Sequence, residues 1–471
     1  MPCRVQLLAT SLVLVPLMAW ILSDSLLLSD VSPAVGLGLV DGTSAALWLW
    51  VRLDARGSGS VTCGEIVVNV SWWEVDGREG SALLPPYSMQ AALESSPYMR
   101  SCVATVRLDQ LQSRSRYEYS VTFAVPTRSR QDVRRGTFRT FMKPGESGSF
   151  SVVLGSCLQS IYGVPMFSLG RLRGAGDMFL FLGDAVYADA PFNFFSSYEH
   201  LYTLLLRDPY FSSLTSTTPS VFMYDDHEIS NNWDGGETGL FADAIGNWTW
   251  FLGRRNRDAP PGSPPRARFF SFMQGDVSFM VLDTRAYRNT SAGTMLGKEQ
   301  LRCVREWLES SRGSDGVKLR VIVSSVPFTL NTGNLSYVRS DGWAGFQEER
   351  EALLGWIHEM DEPVLFLSGD MHWSAIFMSG GILEVSSSPL FQFPMDPRMS
   401  SVQWNEEPIF YASMGLFHAR LDFNTSAGEV KISISQASWW SGEIRELWVK
   451  TFTLEDLKPR KKKSQAFSKS P

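Results

Sequence analysis

Between residues 33 and 142, apolar and polar positions alternate in short runs. Residues 45–52, 65–73, 102–108, 117–124 and 136–141 each read as a strand, and Gly, Pro, Ser and Asp separate them. A period of two sends alternate side chains to opposite faces. Several such strands at this spacing predict an antiparallel β-sandwich over residues 33–142, two sheets burying each other's inner faces. Residues 143–148, KPGESG, then read as a Pro/Gly linker. Beyond it the pattern changes. Compact apolar runs at 150–154, 178–182, 220–224, 277–282, 319–324 and 363–368 alternate with helical patterns such as 198–206, 297–310 and 347–360. Apolar strands between helices predict an α/β domain over residues 149–445, with a layered β-sheet core flanked by helices.

Polar residues collect where these apolar strands end, the edge at which open α/β sheets bind ligands. GSC ends the first strand at 155–157 and GDAVYAD the second at 183–189. YDDHEISNNW follows at 224–233, LDTRAYR at 282–288 and LSGDMH at 367–372. Any one of these has a plain structural reading, since a lone Asp after a strand is often a helix cap. Together they bring carboxylates and imidazoles to one edge, where they would repel one another or stay unsatisfied without cations. Cys, Tyr and Asp form a charge-rich set suited to Fe(3+). The Asp/His set suits a divalent ion, with Ca2+ first and Mg2+, Mn2+ or Zn2+ as alternatives. The chain has no CxxC pair for a zinc finger, no G-x-G-x-x-G after the first strand and no G-x-S-x-G elbow.

These five motifs, in this order, resemble the PhoD-like alkaline phosphatase/phosphodiesterase family of the metallophosphatase superfamily. The resemblance runs over nearly the whole chain after its N-terminal segment, and it implies a fibronectin-like or immunoglobulin-like type for the sandwich. It also implies metal-dependent hydrolysis of phosphate esters by a metal-activated hydroxide. Cys157, Asp184 and Tyr187 match the family's iron ligands, with Asp184 as the bridging carboxylate. Asp226 matches a ligand of the second metal, and Asp370 and His372 match the GDxH ligands. His227 would face the substrate, and Arg285 resembles the arginine that contacts phosphate. Asn231 or Asn232 adds a further ligand or substrate contact. The implied partners are small phosphate monoesters or diesters, including phospholipid head groups. Two departures are visible: 325–328 reads SVPF where the superfamily carries a His, and no capping helix is expected after Ser441.

The remaining features place the chain rather than its chemistry. Arg4 precedes an apolar run over 7–22, so residues 1–28 read as a signal peptide or signal anchor, the latter attaching the chain to a membrane. N-x-S/T sequons at Asn69, Asn247, Asn289, Asn334 and Asn424 agree with a eukaryotic glycoprotein of the secretory pathway, secreted or held at the cell surface. In that compartment Cys63 and Cys102 are expected to pair, while Cys303 reads as a core thiol. Residues 458–471 read as a basic disordered tail. The net charge of −6 argues against specific nucleic-acid binding. The non-enzymatic alternative is a catalytically silent binding protein acting through its sandwich.

Overall fold

The computed structural model describes residues 33–53, 61–75, 87–97, 101–124, 131–160, 164–190, 197–310, 316–330, 341–392, 406 and 408–460. The N-terminal apolar segment, the sequon at Asn334 and tail residues 461–471 lie outside them. Among the described residues no helix is long and apolar enough to cross a membrane.

The first strands are β1 (Ala34–Val40), β2 (Ala45–Arg52), β3 (Val67–Glu74), β4 (Tyr87–Ala91), β5 (Glu94–Ser95), β6 (Ser101–Leu108), β7 (Arg116–Ala124) and β8 (Gln131–Arg139). They form two antiparallel sheets, ordered β1-β2-β6-β5 and β4-β3-β7-β8. In β7 the alternation is plain: Tyr117, Tyr119, Val121 and Phe123 are buried while their neighbours are partly exposed. These side chains share one apolar cluster with Leu47, Leu49 and Val51 of the other sheet. Trp48 and Trp50 leave β2 on its opposite face and join a second cluster with Phe181, Tyr202 and Phe251. Both faces of β2 are thereby buried. Cys63 and Cys102 form a disulfide, and Cys303 is buried and free.

The later strands are β9 (Ser149–Gly155), β10 (Met178–Leu182), β11 (Ser220–Met223), β12 (Phe270–Gln274), β13 (Val277–Val281), β14 (Leu319–Val323), β15 (Val364–Ser368), β16 (Ser374–Ser379), β17 (Ile382–Ser387), β18 (Phe410–Ala412), β19 (Leu416–Asn424), β20 (Glu429–Ala437) and β21 (Ile444–Thr453). One sheet runs β11-β10-β9-β19-β20-β21 and the other β12-β13-β14-β15-β17-β16-β18. Within them β9–β11 are parallel, as are β13, β14, β15 and β17. The apolar inner faces, for example Val152, Leu180 and Val221 against Phe279, Val321 and Leu365, belong to one core. Helices α1 (Tyr198–Arg207), α2 (Pro209–Thr217) and α3 (Phe241–Phe251) cover the outer face of the first sheet. Helices α4 (Gly297–Ser310) and α5 (Gln347–Met360) cover that of the second. Strands buried on both faces explain the continuous apolar runs, and the parallel order carries their polar ends to a common edge.

Candidate metal centre

At that edge, β9, β10, β11, β13 and β15 hand over to the five motif loops. Carboxylate oxygens of Asp184, Asp225, Asp226 and Asp370 lie within 4.8 Å of one another, and Asp184, Asp226 and His227 form an overlapping group. Tyr187 donates its hydroxyl to Asp184 Oδ2 at 3.1 Å and lies 3.0 Å from His372 Nε2. Cys157 Sγ is fully buried, 3.5 Å from Asp184 Oδ2 and 3.4 Å from the Asp370 carbonyl. The structure thus brings Cys157, Asp184, Tyr187, Asp226, His227, Asp370 and His372 into one contiguous group.

The backbone is bent to reach this arrangement. Cys157 (φ 62°), Asp184 (59°), Asn232 (55°), Asp370 (73°) and His372 (52°) all take left-handed conformations. Side chains disfavour that region by about 1–2 kcal/mol per residue, so the surroundings must hold it. Glu228 supplies much of the hold. Fully buried, it accepts the backbone N–H groups of Asp184 (3.1 Å), Ala185 (2.6 Å) and Asp225 (2.8 Å). Ser156 Oγ accepts the Asp370 N–H at 2.9 Å and touches Cys157 Sγ at 3.2 Å.

His227 Nδ1 is 2.8 Å from Asp189 Oδ1, which fixes the ring. Burial alone would lower the His227 pKa, but Asp226, Asp184 and Asp189 overrule it and raise it to about 10. Asn231 and Asn232 enter through their backbones: Asn231 donates its N–H to Asp189 at 2.6 Å, and Asn232 donates to Asp226. Arg285 departs from the sequence expectation. Its side chain is wholly buried, with Nε on Asp225, Nη1 on Asp341 at 2.7 Å and Nη2 3.5 Å from Asp226. The guanidinium is a counter-charge beneath the carboxylates, and contact with a phosphate would require those pairs to open.

Asp189, Asp225, Glu228, Asp341 and Ser156 were not singled out from the sequence. The doubled acid and following Glu of YDDHE signal Asp225 and Glu228. Nothing near Asp341 marks it, because it reaches Arg285 only through the fold.

The electrostatics fit cations. Burial first, then neighbouring acids, lifts Asp370 well above the carboxylate range. Burial also raises Asp184, although His227 pulls the other way. Asp225 is raised to about 6, by burial against the pull of Arg285. Burial and the same acids push the Cys157 thiol and Tyr187 phenol upward. Asp225 Oδ2 and Asp370 Oδ2 are buried with no hydrogen bond, and Asp226 Oδ1 meets only Arg285 Nη2 at 3.5 Å. Orphaned acceptors among crowded acids are what a bound cation satisfies.

Comparison with known proteins gives a consistent picture. The family model described as PhoD-like phosphatase matches residues 166–439. Alkaline phosphatase D of Bacillus subtilis (strain 168) is 23% identical over 304 residues, 54% of this chain and 52% of that protein. The chain therefore spans about half the length of the curated relative it matches. A solved structure of PhoD superposes with a TM-score of 0.67 at 18% identity, covering 93% of each chain. Purple acid phosphatase PPD1 from yellow lupin seeds gives 0.62 at 13% identity, covering 91% of this chain and 76% of that one. At these identities the two structures speak to the fold.

Proposed function

Since the chain belongs to the PhoD-like phosphatase family, we propose that it is a phosphoric ester hydrolase whose metal centre is held by Cys157, Asp184, Tyr187, Asp226, Asp370 and His372. The observation that carries this reading is the knot of four crowded carboxylates, three of them buried, in which Asp225 Oδ2 and Asp370 Oδ2 have no hydrogen bond. Cys157 and Tyr187 beside Asp184 suit Fe(3+), and Asp226, Asp370 and Asp184 suit a divalent ion such as Ca2+. When bound, such cations supply Lewis acidity, which draws in phosphoryl oxygens and makes water nucleophilic near neutral pH.

The chain's own residues do the rest. Water oxygen bonds to phosphorus as the phosphorus–alkoxide bond breaks, and the alkoxide needs a proton. His227, oriented through Nδ1 by Asp189, holds that proton and passes it from Nε2. Arg285 fixes Asp225 and offsets charge under the cluster, and Glu228 and Ser156 hold the strand-end turns. The two N-terminal sheets, residues 33–142, form a fibronectin-like or immunoglobulin-like sandwich in this reading, followed by a catalytic domain over 149–445. A secretory route is supported by the disulfide and by the exposed sequon residues Asn69, Asn289 and Asn424. Asn247 is buried and donates its side-chain amide to the Asp243 carbonyl, so no glycan is expected there.

Hydrolysis of p-nitrophenyl phosphate and bis-p-nitrophenyl phosphate tests the proposal. Asp184→Asn and Asp370→Asn should each abolish turnover of whichever ester the wild type cleaves while leaving the fold intact by circular dichroism. Full activity in either variant would sink the assignment.

A further inference from the structure

A second feature lies on the same sheet edge. A pocket of about 850 Å³ opens between the short helical turn Phe167–Arg171 and the loop joining β20 to β21. Trp439 and Trp440 form its aromatic part, Arg171 and Arg445 its cations, and Gln436 and Glu443 its remaining polar groups. Trp440 is 87% exposed, the most open large apolar side chain among the described residues.

Sheet register fixes where this pocket sits. Leu154 of β9 pairs with Ala419 of β19, and Leu416 of β19 pairs with Ala437 of β20. The Cys157 loop and the Trp439–Trp440 loop therefore leave the same edge, two strand spacings apart, roughly 10 Å in the plane of the sheet. The wall between them is one side chain thick. The Trp439 ring lies 5.7 Å from that of Phe391, whose backbone N–H donates to the Cys157 carbonyl at 3.1 Å.

The loop is also fixed in place. Ser438 and Glu443 close it by a backbone hydrogen bond of 2.8 Å, and the Ser441 N–H donates to Ser438 Oγ at 3.3 Å. Gly442 takes φ 64°, and a Cβ there would meet the Phe167 carbonyl oxygen at 2.3 Å. Only glycine lets the loop press against the helical turn. Trp440 is thus held out in water by a tight turn.

We propose that this pocket is a substrate subsite, which receives a flat ring carried on the non-leaving arm of a phosphodiester. The inference rests on the phosphohydrolase reading above and narrows its substrate class. An exposed indole offers a stacking face, the two guanidiniums outweigh the single carboxylate in charge, and Gln436 and Glu443 can take hydrogen bonds from ring substituents. The distance decides the shape of the ligand: the ring must stand off from phosphorus by a spacer such as a sugar.

The test compares three diesters with one leaving group: thymidine 5′-(p-nitrophenyl phosphate), methyl p-nitrophenyl phosphate and phenyl p-nitrophenyl phosphate. The wild type should prefer the thymidine ester. Trp440→Ala should lower its kcat/KM about 5- to 100-fold, mostly through KM, as expected for a lost stacking platform. Trp440→Phe should recover most of the loss. The methyl ester, and the phenyl ester whose ring sits beside phosphorus, should respond little to either change. Equal rates on the thymidine and methyl esters, or an equal drop on all three in Trp440→Ala, would overturn the subsite while leaving the hydrolase reading standing. Failure of the wild type to cleave any of the three would overturn the diesterase premise itself.

Discussion

Glu228→Gln and Glu228→Ala should separate the scaffold of the metal centre from its ligands. Glu228 Oε2 accepts the N–H groups of Asp184 and Asp225, and Oε1 accepts that of Ala185. Glutamine keeps one oxygen. Turned to retain the bonds to Asp184 and Asp225, it presents its NH2 to the Ala185 N–H and leaves one buried donor without an acceptor. That costs about 1–3 kcal/mol. Alanine strands all three donors, roughly 3–9 kcal/mol on the same scale before relaxation or water entry. Against a typical domain stability of about 5–15 kcal/mol, the alanine variant should be close to unfolding. The glutamine variant should fold but hold its Asp184 turn less firmly, and metal affinity should fall about 10- to 100-fold, as for other residues that orient ligands. Urea unfolding of the chelated proteins gives the first quantity, and metal titration into them gives the second. A glutamine variant that binds metal as tightly as wild type, or an alanine variant with an unchanged urea midpoint, would refute the positioning argument.

Three further outcomes are expected. Chelated protein should lose stability as pH rises from 6.5 to 8.5. Burial keeps Glu228 protonated in the folded state up to about 8, against an ordinary value of 4.5, so the folded chain holds the extra proton and its advantage fades with rising pH. His227, raised to about 10, acts in the same direction: its contribution is complete below 6.5 and is lost toward 10. Below 6.5 the buried His418, lowered to about 4, works the opposite way, so the window is chosen above it. Cations remove the upper slope, and the melting-temperature gap between metal-loaded and chelated protein should therefore widen across the window; a constant gap contradicts this. Arg285→Met should cost about 3–5 kcal/mol in chemical unfolding, since it strands Asp225 and Asp341 in the interior. Arg285→Lys should recover part of that loss, and a wild-type midpoint for the methionine variant would deny the counter-charge role. Replacing Cys63 and Cys102 together by Ser should cost about 2–5 kcal/mol, read as a lower melting temperature that reductant no longer shifts; an unchanged melting temperature would show that the bridge adds nothing.

Much of the site was legible because its residues are local to strand ends. Periodicity placed β2, β10, α4 and α5 at their observed bounds, and the polar residues after each apolar strand converge as expected. What the pattern concealed has physical causes. AVGLGLV at β1 is not among the strands that the pattern predicts, because its glycines break the alternation, yet it is a buried strand lying under Arg255, where a Cβ at Gly36 or Gly38 would come within 2.5 and 2.3 Å of that residue. The first half of β8, Gln131 to Arg135, carries charge because it is an exposed sheet edge, so only its apolar end looked like a strand. The partners of Arg285 are invisible to local reading, since Asp225 and Asp341 lie 60 and 56 residues away in sequence. The family resemblance implies a phosphate contact for Arg285, whereas the fold buries it among Asp225, Asp226 and Asp341.

The central claim is that the buried acids form a metal centre. Elemental analysis of the purified protein by mass spectrometry, beside Cys157→Ala and Asp184→Asn, addresses it directly. The account predicts iron together with a divalent ion in the wild type, with iron lost from both variants and ester hydrolysis lost with it. A wild-type protein that holds no metal above the chelated control would contradict it.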